Sequence, residues 1–449
     1  MKTLKNSGLK SIRRPSPSAA PLFCAVILSS ASVHAQVVNE PTLDSTDNQE
    51  AVNNAILTIC PEGIVGEELQ VRCNNLVGSG SPTDVLTKVT SEQTAAQKSM
   101  SLEMNNGQFA TLTNRISAIR SGRQGGGLTI SGLTFDSSGN PISRNQLANM
   151  NANLNKAAAG DESFDRLGVF VNGNIGFGDR RTTSNEAGYN LDTHGATVGM
   201  DYRFTDNFLL GMAFGYNNAY SGYANSLGTL EADNYTGAIY GSFFTENGFF
   251  VDGIFSGSHI DYSTRRHIQY AISETINTNA FGDNQGDEFD VAMTSGYNFN
   301  HGGLTVTPQV RVEYTTNQVD ALNERGGQGW ALHVDSQDFE SLQTAAGLQM
   351  AYAVNLPWAV IMPMVRAEYI HEFKNDQRNI TAYFVQDPSQ TRFNIMTDKP
   401  DRDYIILNAG MSAQFAHGIS AFVSYDTVQA HSYVNNHNFV GGVRMALSF

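Results

Sequence analysis

Two stretches of this chain repeat one charge pattern: Pro308-Gln309-Val310-Arg311-Val312-Glu313-Tyr314 and Pro363-Met364-Val365-Arg366-Ala367-Glu368-Tyr369. In each, the arginine and the glutamate lie two residues apart, so on an extended strand they share one face. Opposite charges on one face can pair with each other, grip a polar segment or line a wet passage; by themselves they are not a catalytic set. The other chemistry-bearing stretches are thin. His371-Glu372 reads as ordinary wall at a strand end. Gly282-Asp283-Asn284-Gln285-Gly286-Asp287-Glu288 could hold Ca²⁺ or cations bound to lipopolysaccharide, but it lacks the full EF-hand ligand pattern and reads as a solvated loop. A nucleophile elbow, a zinc-binding His-Glu-x-x-His, a phosphate-cradling loop and a lipase-type Gly-Asp-Ser are all absent from the sequence. The expectation is a protein with no enzymatic activity, no cofactor and no metal.

The elements that position the two arginine–glutamate pairs are strands. Residues 161–449 read as twelve, the first being Leu167–Gly178, followed by about 190–204, 208–220, 231–244, 248–262, 286–298, 303–316, 337–353, 358–373, 402–415, 419–429 and 436–449. Alternation is the signal: Phe208, Leu210, Met212 and Phe214 on one face oppose Leu209, Gly211, Ala213 and Gly215 on the other. Every second connection is tiny (Thr205-Asp206-Asn207, Glu246-Asn247, Asn300-His301-Gly302, Asn355-Leu356-Pro357, Ala416-His417-Gly418), and those between are longer, at 180–188, 221–230, 263–285, 317–336, 374–400 and 430–435. Short turns on one rim and long loops on the other are the mark of a transmembrane β-barrel. Only closed barrels and helices satisfy every backbone group in a bilayer. Arg311, Glu313, Arg366 and Glu368 must then line the lumen, since charges at membrane depth are costly against lipid.

Composition agrees. The 449 residues are 16% charged and 10% aromatic, with 42 glycines, where a soluble domain carries roughly 25% charged residues. Residues 1–35 read as a secretory signal, with Lys2, Lys5, Lys10, Arg13 and Arg14, an apolar run Pro21–Ala31, and Val33-His34-Ala35 before the cut. Removing those five basic residues leaves 23 basic against 43 acidic, a formal charge of −20 in place of −15, which excludes nucleic acid as a partner. No later run reaches the roughly 18 apolar residues of a membrane helix. An exported, strand-rich chain of this kind is expected in a Gram-negative outer membrane, surrounded by lipid and lipopolysaccharide.

Residues 36–140 are of another kind. Cys60 and Cys73 remain after processing, and an oxidising compartment favours a disulfide between them. Asp47–Cys60 and Gly66–Val77 read as helices, Gly-Ser-Gly-Ser-Pro at 78–82 as a linker, and Thr83 to about Asn105 as a further helix. Asn105-Asn106-Gly107 reads as a break, giving a helical hairpin with the Phe109, Leu112, Ile116, Ile119 stripe. The region is either a surface-displayed or barrel-plugging module, or a stalk with no ligand of its own. Residues 141–160 read as a thin polar helix rich in asparagine, including Asn149, Asn153 and Asn155. About 19 residues give roughly 28 Å, enough to thread a lumen; the other reading is an exposed linker helix.

Residues 161–449 resemble the translocator β-domain of type V autotransporters. The matching stretches are Leu167-Gly-Val-Phe-Val-Asn-Gly, Ser341-Leu-Gln-Thr-Ala-Ala-Gly347, Pro363 to His371-Glu372-Phe373, Phe422-Val-Ser-Tyr-Asp426 and the terminal Phe449. The resemblance implies a twelve-stranded antiparallel barrel around a lumenal helix and a surface-exposed N-terminal region. It also implies periplasmic chaperones and the outer-membrane barrel assembly machinery as partners, acting through the last strand. That strand places Phe439, Val443, Met445, Leu447 and Phe449 on one face, so it reads as assembly signal and as the seam that pairs with Leu167–Gly178. The function implied is an outer-membrane autotransporter that anchors and translocates its own short passenger, for adhesion or surface interaction, with no receptor named. The competing reading is a plugged, porin-like channel with a periplasmic or lumenal N-terminal region.

Self-cleaving members cut between two adjacent asparagines in the lumenal helix, the first attacking its own backbone carbonyl. Here that position reads Ala152-Asn153, so the nucleophile is missing. One band, and no separate passenger and barrel, is expected on a denaturing gel of outer membranes; two fragments would contradict it.

Overall fold

The computed structural model describes residues 46–60, 63–77, 82–121, 129–130, 133–135, 141–142, 167–415 and 419–446. Twelve long strands form its wall: β1 Leu167–Arg180, β2 Tyr189–Thr205, β3 Phe208–Tyr223, β4 Gly228–Phe244, β5 Phe249–Ala271, β6 Thr275–Tyr297, β7 Leu304–Val319, β8 Gln337–Tyr352, β9 Ala359–Glu372, β10 Asp403–Phe415, β11 Ile419–Gln429 and β12 Val434–Ala446. Each pairs antiparallel with the next, and β12 pairs with β1 in the register Phe439↔Ile175, Val443↔Val171 and Met445↔Val169. The barrel is closed, as the strand alternation predicts. Leu447 and Phe449 lie outside the described residues.

The pleat sorts the two faces as expected. Met212, Phe214, Val171, Ile175, Val443 and Met445 are exposed outward, while Leu209, Asn172 and Asn174 are buried inward. Tyr202, Phe204, Phe208, Phe243, Phe249, Tyr352 and Trp358 ring the short-turn rim. Tyr216 and Tyr235, with ring centroids 5.4 Å apart, and Tyr369 mark the other edge of the apolar band. From Phe208 to Tyr216 is about 26 Å along the strand and, at the usual tilt, about 20 Å of height, near that of a lipid-facing band between aromatic girdles. No helix among the described residues is long and apolar enough to cross a membrane.

Two expectations need correction at the long-loop rim. The stretch 263–285 is not a loop: β5 and β6 continue as one hairpin to Ala271↔Thr275, and the acidic run 282–288 lies within β6, with Gly282 opposite Thr264. Both faces of this extension stand above the lipid, so polar residues there carry no loop signal. The connections after β7 and β9 also contain structure. Leu322–Asn323, Leu332–Val334, Asn379–Phe384 and Phe393–Met396 make a four-stranded antiparallel sheet over the rim.

Three helices sit on that sheet: α1 Asp47–Ile59, α2 Glu67–Val77 and α3 Pro82–Val89. Thr46 caps α1 in a reciprocal box with Gln49. Val52, Ile56, Ile59, Leu69, Leu76, Val85, Leu86 and Val89 form one core with Ile268 and Tyr270 of β5 and with Trp330, Leu332, Ile380, Phe384, Phe393 and Ile395 of the loops. Polar contacts hold the orientation. Asn48 Nδ2 donates to the carbonyls of Asn185 and Met396, each at 2.9 Å, and its Oδ1 accepts from the Met396 amide at 2.6 Å. The fully buried Arg266–Glu324 pair ties the barrel hairpin to the loop sheet, and Arg266 also donates to the Val89 carbonyl at 3.1 Å. Residues 46–89 thus form a cap packed onto the loops. A small meander of Thr129–Ile130, Leu133–Phe135 and Pro141–Ile142 follows the helices in sequence.

Cys60 and Cys73 are bonded, with Cα atoms 5.3 Å apart, and both are buried in the cap core. The bond closes a loop of sequence separation 13, for which chain-entropy arguments give about 3 kcal/mol. Replacing both cysteines by serine should lower cap stability by about that amount. The check is a denaturant titration followed by Trp330 fluorescence in a Trp358→Phe background, which leaves the core tryptophan as sole reporter.

Candidate functional site

The lumen is the site, and a helix occupies it. This is α4, Ala96–Ser121, 26 residues and about 39 Å long. Of the lumenal helix expected at 141–160, residues 143–160, with Asn149, Asn153 and Asn155, lie outside the described residues, and Pro141–Ile142 are a short strand. The described helix in the lumen comes from the stretch assigned to the passenger. The break at Asn105-Asn106-Gly107 is not there; α4 runs through it. Gly107 answers to packing: a Cβ would lie 2.9 Å from Asn174 Nδ2 on β1. Glycine lets the helix backbone approach the wall at a modest propensity cost.

The helix is held along its length by matched side chains. Gln97, Ser101 and Asn105, spaced i, i+4, i+8, meet the inward residues Asn284, Glu288 and Asp290 of β6. Gln97 Nε2 donates to Asn284 Oδ1 at 3.0 Å, the Ser101 hydroxyl donates to Glu288, and Asn105 Nδ2 donates to Asp290 Oδ1 at 2.7 Å. Asn317 on β7 donates to Ser101 Oγ at 2.7 Å. Further down, Thr197 donates to Gln108 Oε1 at 2.7 Å and Asn114 donates to Ser424 at 3.0 Å. Arg115 forks onto Asp201, its Nε at 2.7 Å, while Tyr240 donates to the same carboxylate at 3.2 Å. Apolar patches alternate with these contacts. Met100 and Met104 pack on Tyr189, Tyr223, Leu230 and Tyr262 toward the long-loop rim; Phe109, Leu112 and Ile116 pack on Phe170, Leu209, Phe244 and Phe250 toward the short-turn rim.

Arg311, Glu313, Arg366 and Glu368 are all buried, on the face of their strands opposite the exposed apolar residues. Arg311 faces Glu313 at 3.4 Å and Glu368 at 3.8 Å; Arg366 faces Glu368 at 3.5 Å and Asp426 at 3.5 Å. Gln309 donates to Glu368 at 3.0 Å. Arg311 lies 4.9 Å over the Phe109 ring, so the wall network grips α4 directly. Sequence reading missed Asp201, Glu288, Asp290 and Asp426. The available signal was an acid on the inward face of a strand whose other face is apolar, as with Asp201 between Met200 and Tyr202.

Above the lumen, Arg180 at the end of β1 holds Glu186 at 3.1 Å and Asp398 at 2.5 Å, binding two loops to the seam. Burial raises the Glu186 carboxyl above its usual range, against the pull of Arg180. His371 pairs with Asp403 at 2.7 Å, and Glu372 accepts from Ser341 and the Leu342 and Lys374 amides. Both act as wall. Among the described residues no group of three His, Cys, Asp or Glu is placed to hold a metal ion.

The comparisons bear on this geometry. The chain is 24% identical to outer membrane protein A of Rickettsia conorii over 245 residues, which cover 51% of this chain and 12% of that protein. It is 25% identical to the esterase EstA of Pseudomonas aeruginosa over 249 residues, covering 53% of this chain and 36% of that protein. The chain thus spans between about an eighth and about a third of the length of these relatives. The solved translocator domain of the autotransporter NalP from Neisseria meningitidis shares the fold, at a TM-score of 0.51 and 15% identity, covering 67% of this chain and 96% of that one. The autotransporter beta-domain family matches residues 169–426, more than half of the chain. This chain belongs to the autotransporter beta-domain family and is an outer-membrane β-barrel protein.

Proposed function

We propose that this autotransporter carries its own N-terminal region through the barrel and keeps it as a fixed cap rather than releasing a passenger. One observation carries the reading: α1–α3 are built into the long-loop rim while α4 runs down the lumen toward the short-turn rim, where β1 begins. Long loops face outward in barrels of this kind, so residues 46–89 belong on the cell surface and the chain reaches them through the lumen. The cap presents Leu57, Ile64 and Val71 outward, beside Glu50 and Glu67, as the surface for adhesion or other contact. Lipid and lipopolysaccharide surround the wall. Periplasmic chaperones and the barrel assembly machinery bring it there, with the last strand as their signal.

The plugged-channel reading draws support from α4, which fills much of the lumen; it differs in placing residues 46–89 on the periplasmic side. A protease site inserted between α2 and α3, at 78–81, decides between them. It should be cut on intact cells while a periplasmic marker protein survives; protection until the outer membrane is permeabilised would favour the channel reading and sink the surface cap.

The seam gives a second test. Deleting Phe449 should reduce the fraction of folded barrel, read as the fast-migrating band on an unheated gel, while total export to the periplasm is unchanged. Wild-type levels of folded barrel would remove the last strand's role as assembly signal.

A further inference from the structure

The turn that leads into the closing strand is built around one histidine. Between β11 and β12, Ala430 takes a left-handed conformation with φ 61°, uncommon for a residue with a Cβ, and His431 follows it. Three groups lie within hydrogen-bond distance of His431 Nδ1. The backbone amides of Tyr433 and Val434 donate to it at 3.3 and 3.2 Å, and Asp401 Oδ2, from the stretch before β10, is 3.1 Å away. Two of these are donors and one is an acceptor. An unprotonated Nδ1 accepts from the two amides and has nothing to offer the carboxylate; a protonated Nδ1 donates to Asp401 and can accept from neither amide. Asp401 is held beside this nitrogen, since it also accepts from the Ser432 amide of the same turn.

We propose that His431 is a proton-operated switch at the long-loop end of the barrel seam: neutral, it fastens the turn to the first residues of β12; protonated, it releases their amides and holds Asp401 instead. The turn sits where wall, loops and cap meet. Val434 faces Arg180 in the β12–β1 ladder. The Tyr433 ring carries the Arg180 guanidinium at 5.3 Å and that of Arg181 at 5.6 Å, and the Tyr433 carbonyl accepts from the Arg181 amide at 3.1 Å. Arg180 also binds Glu186 and Asp398, in the two loop segments whose Asn185 and Met396 carbonyls accept from Asn48 of the cap. The charged groups acting on the imidazole are Asp401 from before β10 and Arg180 from β1, the latter balanced by Glu186 and Asp398. Tyr404 of β10 packs its ring 5.6 Å away, and Arg181 reaches the turn through the Ser432 carbonyl. Burial lowers the proton affinity of His431, Asp401 raises it and Arg180 adds to the lowering, leaving the imidazole below its usual value. The folded state therefore binds fewer protons here than the unfolded chain. The neutral arrangement holds in full above about pH 6.5 and is lost as the pH falls through the lower folded value.

The test follows a single amide. Tyr433-Val434 is the only Tyr-Val dipeptide in the sequence. The full chain, refolded in detergent with carbonyl-labelled tyrosine and nitrogen-labelled valine, therefore gives one peak in a carbonyl-filtered magnetic resonance spectrum, that of the Val434 amide. Between about pH 8 and about pH 5 the wild-type peak should move upfield in one step, with a midpoint below about 6.5, as the hydrogen bond to Nδ1 is lost. Asp401→Asn should lower that midpoint by about one pH unit, because the protonated form loses its partner. His431→Asn, whose side-chain oxygen can accept the same amide but takes no proton, should give a peak that stays in place. Unheated-gel mobility confirms that each variant is a folded barrel. A wild-type peak that does not move, a midpoint unchanged in Asp401→Asn, or a peak that moves equally in His431→Asn overturns the proposal, the last outcome assigning the response to the acids around Arg180.

Discussion

Hydrocarbon offers no partner to an unpaired backbone amide or carbonyl, so the pairing of β12 with β1 is the contact on which the rest of this molecule depends. Thirteen residue pairs, from Val434↔Arg180 to Ala446↔Gly168, close the wall. The closing strands are rich in small residues on their inner faces. Gly442 lies so near Asn172 that a Cβ there would overlap its side chain. The seam is thus shaped by what stands inside it as much as by its own ladder. Closure also fixes the inside as a separate solvent. Once the wall is complete, every inward side chain must find a partner in the lumen, because neither lipid nor a core can supply one.

That requirement explains α4. A helix entering such a lumen meets a wall that is polar at one height and aromatic at the next, and it answers each in turn. Asn105 meets an acid, Phe109 meets a guanidinium, Leu112 meets an apolar cluster, and Arg115 meets Asp201. Single contacts of this sort are worth about 1 kcal/mol, and more when charged. Their weight lies in what withdrawal would leave behind. Removing Arg115 from the lumen would strand Asp201 in a buried site, a loss of about 3–5 kcal/mol for such a pair. The cap adds a second hold at the outer end, where α1–α3 share one core with the loops. Plug and cap are consecutive in sequence, so neither can leave without the other being disturbed.

The parts legible in the sequence are those with one simple solvent on each side. The wall strands have lipid outside and lumen inside, so period-two alternation gave their number and their two faces. The β5–β6 extension was not legible, because above the lipid its outer face is polar and its inner face mixes Thr264 and Arg266 with Ile268 and Tyr270, so the apolar–polar alternation of Ser263 to Ala271 is weak. The cap helices and their disulfide were legible, being amphipathic in the ordinary way. The lumenal helix was not. Its second half shows the Phe109, Leu112, Ile116 stripe, but Met104 and Leu112 lie among asparagines and glutamines that are equally buried, so the stripe does not tell the helix's surroundings. Periodicity assumes one wet face and one dry face, and α4 has neither.

Gly107 shows how the same residue can support opposite readings. In water, Asn-Asn-Gly marks a chain that turns, because the asparagine side chains compete for the backbone and glycine prefers freedom. In the lumen, Asn105 is committed to Asp290, and the missing Cβ of Gly107 lets the helix lie against Asn174. The local preference for a turn is outweighed by contacts that exist only after the barrel has closed. The helical form of 96–121 is thus stabilised by the wall around it, while the wall is held by its own ladder.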